Sequence, residues 1–511
     1  MKNEHSPNGN FKKLSTAEDF SAGTLHGLTL VKDEGACALR LADGCKVGAF
    51  LSLVFDTQPF NDLVVSWNTD TPPGTKAEVF ARAYLPDCDG MRNDGGAVYD
   101  GWTDWISWGE WSPFIRRACG ECSDSHLRAD GQPGGWAYAY SYTGGGDSSM
   151  RINGGLTASR MQLKAVLSAG QETNACPQLR LLAATFKNTN DPEWNQKCAL
   201  AEPAVGEKPA VLLNTPAISQ LQRDPAYKNV ICSATCIAML LNGRGEDVLP
   251  EDITMINYDY GFGGNGNWSF SVAAAGAYGY ESYVHYADFA GLRQELSRGY
   301  AVALSVRYSK EENGKYPYLC NAPTNTGGHL ITIVGYRYDE TLGEYIYYSN
   351  DPASDTDYEV AHREYRESQL SDAWSRRAAY FVHDKKKQRG LFPHREQRGI
   401  LRPLPDRCGV FALVTEAGET LALPADFTDE CRRSFGLHGT LALTVSNQIA
   451  PLPDGVLRTT ANHQFLYEEL SVTEDGMLKL PVSALEQAAG GTVLTLYVVV
   501  NSGDRYTFLL S

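Results

Sequence analysis

No apolar run in this 511-residue chain approaches the ~20 residues that a helix needs to cross a bilayer. Its opening, Met1 to Gly9, lacks the apolar core of a secretory signal. Basic side chains are in deficit, 45 against 61 acidic ones, and the net charge of −16 argues against a general binder of nucleic acid or anionic membranes. Together these absences predict a cytoplasmic protein with no membrane span and no nucleic-acid partner. Metal-binding patterns are incomplete as well. Cys119-Gly120-Glu121-Cys122, followed by His126, finds no second pair at matching distance among Cys88, Cys176 and Cys198, whereas a structural zinc needs four ligands. A plain loop or a local disulfide is expected there. Asp87, Asp89 and Asp94 lack the bidentate glutamate that closes an EF-hand loop and read as a polar turn. Neither a metal nor an organic cofactor is expected. The twelve cysteines are scattered rather than framed at regular spacings, so reduced thiols are the expectation.

What the chain does hold is ample core material, 43% hydrophobic residues against 21% charged, and length for roughly three domains. Residues 1–12 read as a flexible tail. From 13 to 200, runs such as Leu63 to Trp67 and Ala77 to Tyr84 alternate with Gly, Pro, Asn and Asp turns, the pattern of an antiparallel β-sandwich. Inside it Trp102, Trp105, Trp108 and Trp111 recur at every third position, which cannot make one stripe on a strand whose faces alternate. Two uses stay open for them: packing the core, or stacking on sugar rings as a glycan site. The basic stretch beginning Lys385-Lys386-Lys387 marks a linker over 385–399. Strand-like runs at Val410 to Val414 and Thr492 to Val500 place a small β domain, with no chemical constellation, at 400–511.

The chemistry gathers between these flanks, in residues 201–384. Cys232 opens a short helix: Ser233 and Thr235 suit a first turn, Ile237 to Leu241 is a buried run, and Asn242-Gly243 is a stop signal. A thiol at that position meets unpaired N–H groups and the positive end of the helix dipole, which lower its pKa. Cys236, one turn further in, is expected to be buried and inert. His329 opens the apolar run Leu330 to Tyr336, and after a turn a second strand, Tyr345 to Tyr348, leads to Ser349-Asn350-Asp351-Pro352. A hairpin folded about residues 340–341 sets position 329 across from about 352, making His329 and Asp351 neighbours. A carboxylate there fixes the imidazole tautomer and stabilises the imidazolium. Asn350 competes for this role, but adjacent strand residues face opposite ways, so only one of the two can serve. Cys320 lacks helix context, His285 reads as a strand residue, and His362 and His383 have no carboxylate in a comparable hairpin position.

These motifs resemble family 39 of the cysteine peptidases, the relatives of double-glycine leader peptidases with a papain-like fold. The likeness covers about residues 212–384 and runs in order through Gln222, Cys232-Ser233-Ala234-Thr235, Asn267-Trp268-Ser269-Phe270, Ala273 to Tyr280, Gly328-His329, Asn350-Asp351-Pro352 and Tyr365 to Trp374. One departure is Ala234, where such relatives often carry proline. The resemblance implies an α+β fold, a papain-like cysteine peptidase domain between an N-terminal β-sandwich and a small C-terminal β domain. It also implies roles: Cys232 as nucleophile, His329 as base, Asp351 as orienter and Gln222 as oxyanion ligand. The expected activity is hydrolysis of peptide bonds in a peptide or protein substrate through a thioester acyl-enzyme. The alternatives are acyl transfer or deamidation by the same thiol, and a silent glycan- or protein-binding protein.

Overall fold

The computed structural model describes residues 9–33, 36–92, 98–119, 137–139, 149–152, 155–193, 207–386, 395–429, 439–449, 451–467, 469–500 and 504–510. Helix and strand are mixed along the chain. The N-terminal region forms one seven-stranded and one six-stranded sheet that share a hydrophobic core. Sequence alternation decides which strands meet solvent. Thr75–Tyr84 alternates buried and half-buried residues along its length, the mark of a strand covered on one face. Asp62–Asp70 is buried at every position, so it is covered on both faces.

The second cover belongs to the central region, where helix Trp268–Ala277 and strand Tyr280–Tyr286 lie against Asp62–Asp70. Asn68 and Ser282 exchange two hydrogen bonds, Asn68 Nδ2 donating to the Ser282 carbonyl (2.8 Å) and the Ser282 N–H donating to Asn68 Oδ1 (3.0 Å). The Ser269 hydroxyl donates to the Val65 carbonyl (2.6 Å), and the Tyr286 hydroxyl to Asp62 (2.7 Å). Gly276 lets the helix approach this closely, because a Cβ there would meet Asn68 at 2.7 Å. Trp67, Trp111 and Phe270 form a three-ring cluster across the seam, with centroids 5.3 to 6.3 Å apart.

The central region itself is a seven-stranded antiparallel sheet in the order Tyr280–Tyr286, Ala378–Lys385, Val302–Tyr308, Thr326–Asp339, Glu344–Asn350 and Arg363–Arg366, with Ala210–Leu212 added on Thr326–Asp339. Helices Cys232–Asn242, Pro250–Asn257 and Trp268–Ala277 pack together beside it. A nine-stranded C-terminal sheet has its own core and one parallel pair, Arg395–Pro403 with Asp504–Leu510. Among the described residues, no helix is long and apolar enough to cross a membrane.

Three expectations change in detail. The expected tail, residues 1–12, already contains the start of strand Phe11–Leu14, which pairs with Leu182 to Thr185. Strand Arg395–Pro403 begins within the expected linker, 385–399. The four tryptophans divide by burial: Trp108 and Trp111 are core, whereas the half-buried Trp102 and Trp105 have cations over their rings, Arg82 at 4.5 and 4.9 Å and Lys164 over Trp105 at 4.7 Å. Cys122, His126 and Asp94 lie outside the described residues.

Burial sets the energetic consequence. Trp111→Ala should cost ~3–5 kcal/mol, since a buried tryptophan leaves a cavity between two regions. Trp102→Ala should cost well below that. Urea unfolding of the two variants checks the difference, and equal losses would show that the two rings are packed alike.

Candidate active site

Cys232 is the first residue of helix Cys232–Asn242, preceded by Ile231 at the cap. The first N–H groups of a helix have no intrahelical acceptor, so they face an anion at that position. The His329 ring and the backbone N–H groups of Leu330 and Ser233 are close enough to act on the charge of the sulfur. Burial by itself raises the thiol pKa. The His329 bond and charge, with the two N–H groups, overcome that and hold the thiol below its ordinary value.

His329 lies on strand Thr326–Asp339, where it pairs with Val306 of Val302–Tyr308. On the other side, the hairpin with Glu344–Asn350 runs from Asp339↔Glu344 to Thr332↔Asn350, so His329 and Asp351 both extend past its last pair. A bulge near Ile333 to Gly335 and the exit of the chain at Asp351 bring the two together, His329 Nε2 lying 2.8 Å from Asp351 Oδ1. An ionised carboxylate can only accept, so Nε2 carries the proton and Nδ1 faces the sulfur. Burial lowers the imidazole pKa. The Asp351 charge and hydrogen bond, aided by Cys232, reverse this and raise it well above the usual histidine range.

Asp351 is fully buried, and every lone-pair direction of its carboxylate is occupied in a specific way. The hydroxyls of Tyr308 and Tyr365 each donate to Oδ2 at 2.8 Å, and the Ala353 N–H donates to Oδ1 at 3.1 Å. Burial pushes the carboxyl pKa up, but His329 and the two tyrosines pull it below its ordinary value. Asn350 turns the other way, its amide donating to the Pro216 carbonyl (3.0 Å) while its oxygen accepts from the His362 N–H (3.1 Å).

Gln222 is exposed at the end of the 3₁₀ turn Gln220–Gln222. Gln220 is buried instead: its side-chain amide donates to the Lys228 carbonyl (2.8 Å) and its backbone N–H donates to the carbonyl of Pro352, next to Asp351 (2.9 Å). A 3₁₀ turn advances a third of a circle per residue, so two glutamines two apart lie on different faces. The backbone of the buried Gln220 therefore joins the Asp351 loop, while Gln222 lies on another, exposed face. Tyr308, Tyr365 and Gln220 were not singled out from the sequence. The nearest signal for the tyrosines was position alone, each standing in or at the end of a short strand next to a loop with charged residues.

The competing groups fall elsewhere. Cys236 is buried, and burial drives its pKa far above the ordinary thiol value. His285 stacks on Phe381 at 5.2 Å. His383 does have carboxylates, Glu295 at 2.6 Å and Glu281 at 3.5 Å, but they come from a helix and a strand and form an ion-pair cluster with Lys13. A cavity of about 790 Å³, lined by Arg398, Arg402, Arg505 and Asp247 among others, lies on the C-terminal sheet and holds none of these groups. Among the described residues, no three or more His, Cys, Asp or Glu side chains are placed to share a metal.

Residues 212–380 match the model of the Peptidase_C39 like family. No curated protein compared with the chain matches it. Among solved structures, the chain is similar to the digestive procathepsin L 3 of the Tenebrio molitor larval midgut, at 16% identity over 36% of this chain and 74% of that one, with a TM-score of 0.26. The stretch that holds Cys232, His329 and Asp351 is thus a Peptidase_C39-like region, as the motifs along the sequence imply.

Proposed function

We propose that this protein is a cysteine peptidase that hydrolyses peptide bonds in a peptide or protein substrate through Cys232, His329 and Asp351. The observation that carries this reading is the His329 ring held 2.8 Å from a buried Asp351 carboxylate, with Cys232 at the start of a helix where that ring acts on its thiol. A depressed thiol beside a raised imidazole makes a thiolate–imidazolium pair, the form a thiol nucleophile needs.

In the first half-reaction the Cys232 thiolate attacks the peptide carbonyl and forms a C–S bond. The oxyanion is met by the Cys232 backbone N–H and by the Gln220 side-chain amide, which has a second N–H beyond the one given to Lys228. This replaces Gln222 in that role. The C–N bond then breaks as the imidazolium gives its proton to the leaving amine. In the second half, neutral His329 takes a proton from water, hydroxide attacks the thioester, and the carboxylic acid leaves as the thiolate is restored. Asp351 keeps the ring in one orientation throughout, and the tyrosines keep Asp351 in place. The cations over Trp102 and Trp105 count against a sugar-stacking role for those rings and favour the hydrolase reading over a glycan-binding one.

Two outcomes follow. Iodoacetamide at pH 6 should alkylate Cys232 well before the other described cysteines, and mass spectrometry of the modified peptides reads this directly. Comparable modification of Cys236 would remove the basis for activation. Peptidase activity should also hold across a broad pH plateau. Falling pH ends it by protonating the thiolate below the lowered Cys232 pKa, and rising pH ends it by deprotonating the imidazolium above the raised His329 pKa. Asp351→Ala removes the charge that holds His329 up, so the alkaline limb should shift to lower pH with a fall in kcat of tenfold or more. A pH–rate profile of the variant that keeps its alkaline limb would take Asp351 out of the mechanism.

A further inference from the structure

The turn that carries Gln220 is three residues long and cannot hold its own geometry. From the central region it is held by the Ser219 N–H donating to Asp357 Oδ1 (2.6 Å) and the Ser219 hydroxyl donating to the Ser354 carbonyl (2.6 Å). Further holds reach the C-terminal domain and grip the segment on both sides of the turn. Before it, the Asn462 amide donates at once to the Ala217 carbonyl (2.7 Å) and to Asp357 Oδ2 (2.8 Å). After it, the buried Arg223 pairs with Glu251 (2.7 Å), donates to the Ala461 carbonyl (2.9 Å) and lies 4.4 Å from the Phe465 ring. Thr440 donates to Asp224 (2.9 Å). Leu452 and Val456 pack with Ala217 and Val360 in a small apolar cluster over the same segment.

Asn462 is fully buried and has no slack. Its oxygen accepts from the Thr459 N–H (3.1 Å), and the neighbouring Thr460 N–H is tied to Asp247 (3.0 Å). One side chain therefore spans the C-terminal domain, the segment before Gln220, and the Asp357 that orients Ser219. We infer that Asn462 is a positioning residue for Gln220, so that the C-terminal domain completes the oxyanion site. This rests on the peptidase reading above. Oxyanion binding depends on sub-ångström placement of the donor, whereas the Cys232–His329–Asp351 contacts do not pass through Asn462.

Two small reagents separate these parts in the full chain. With p-nitrophenyl acetate the thiolate attacks the ester carbonyl, forms a thioester and expels p-nitrophenolate, a step that builds an oxyanion. Iodoacetamide alkylation displaces iodide from a saturated carbon and builds none. In Asn462→Ala the p-nitrophenolate burst rate should fall tenfold or more, as in Gln220→Ala, while alkylation of Cys232 at pH 6 stays within twofold. The double variant should be no slower than Gln220→Ala alone. If Asn462→Ala does not fold, Asn462→Asp, which keeps the shape but loses the donor, takes its place with the same expectation. An unchanged burst, a parallel loss of both reactions, or additive losses in the double variant would each overturn the inference. Absence of any burst or selective alkylation in the unaltered protein would instead overturn the peptidase reading.

Discussion

A carboxylate without water is stable only where donors surround it, and Asp351 sets that condition for the centre of this protein. Its four donors come from separate places: Tyr308 at the end of one strand, His329 on the next, Tyr365 on a third and the Ala353 N–H from the loop between. Satisfying one anion therefore fixes the mutual position of three strands of the central sheet. It also fixes which ring nitrogen of His329 faces Cys232. Removing any one donor would leave a buried charge short of a partner, so the geometry is enforced by desolvation more than by the strength of any one bond.

The helix Cys232–Asn242 is held from behind by a different device. Ser233 joins Ser271 (2.8 Å) and Tyr380 (3.0 Å), and Ser271 in turn meets Asn257 (3.2 Å), so three helices and a strand share one buried polar chain. Arg117, from the N-terminal region, donates to the Met255 and Ile256 carbonyls at the end of helix Pro250–Asn257. That guanidinium meets carbonyls a helix cannot satisfy for itself. The flanks are thus built into the central region by hydrogen bonds to its backbone, and the strand Asp62–Asp70 is a shared wall.

Legibility in the sequence follows the range of the interactions. The cysteine at a helix start and the histidine–aspartate hairpin are local patterns: a cap, an apolar run, a turn between two aromatic strands. They were readable for that reason. The first residues of Phe11–Leu14 and of Arg395–Pro403 look like tail and linker because their strand partners lie far along the chain, within Leu182 to Thr185 and Asp504 to Leu509. Gln220 escapes notice because spacing gives no sign of which glutamine a 3₁₀ turn buries. Tyr308 and Tyr365 read as ordinary strand aromatics, since nothing local tells that their hydroxyls share one carboxylate. The tryptophan spacing was correctly incompatible with one stripe, but only the sheet shows which rings are core and which carry cations.

The seam at Asn462 also bears on when the molecule becomes competent. A ribosome releases the chain from its N-terminus, and Cys232, His329 and Asp351 all emerge more than a hundred residues before Asn462. At ordinary synthesis rates that interval is roughly 6–20 seconds. Once strand Ala378–Lys385 has also emerged, Cys232 and His329 have the whole central sheet to fold on, while the segment bearing Gln220 still lacks its outer clamp. On the reading proposed above, a growing polypeptide would thus hold its thiol and imidazole in place before the segment around Gln220 is clamped.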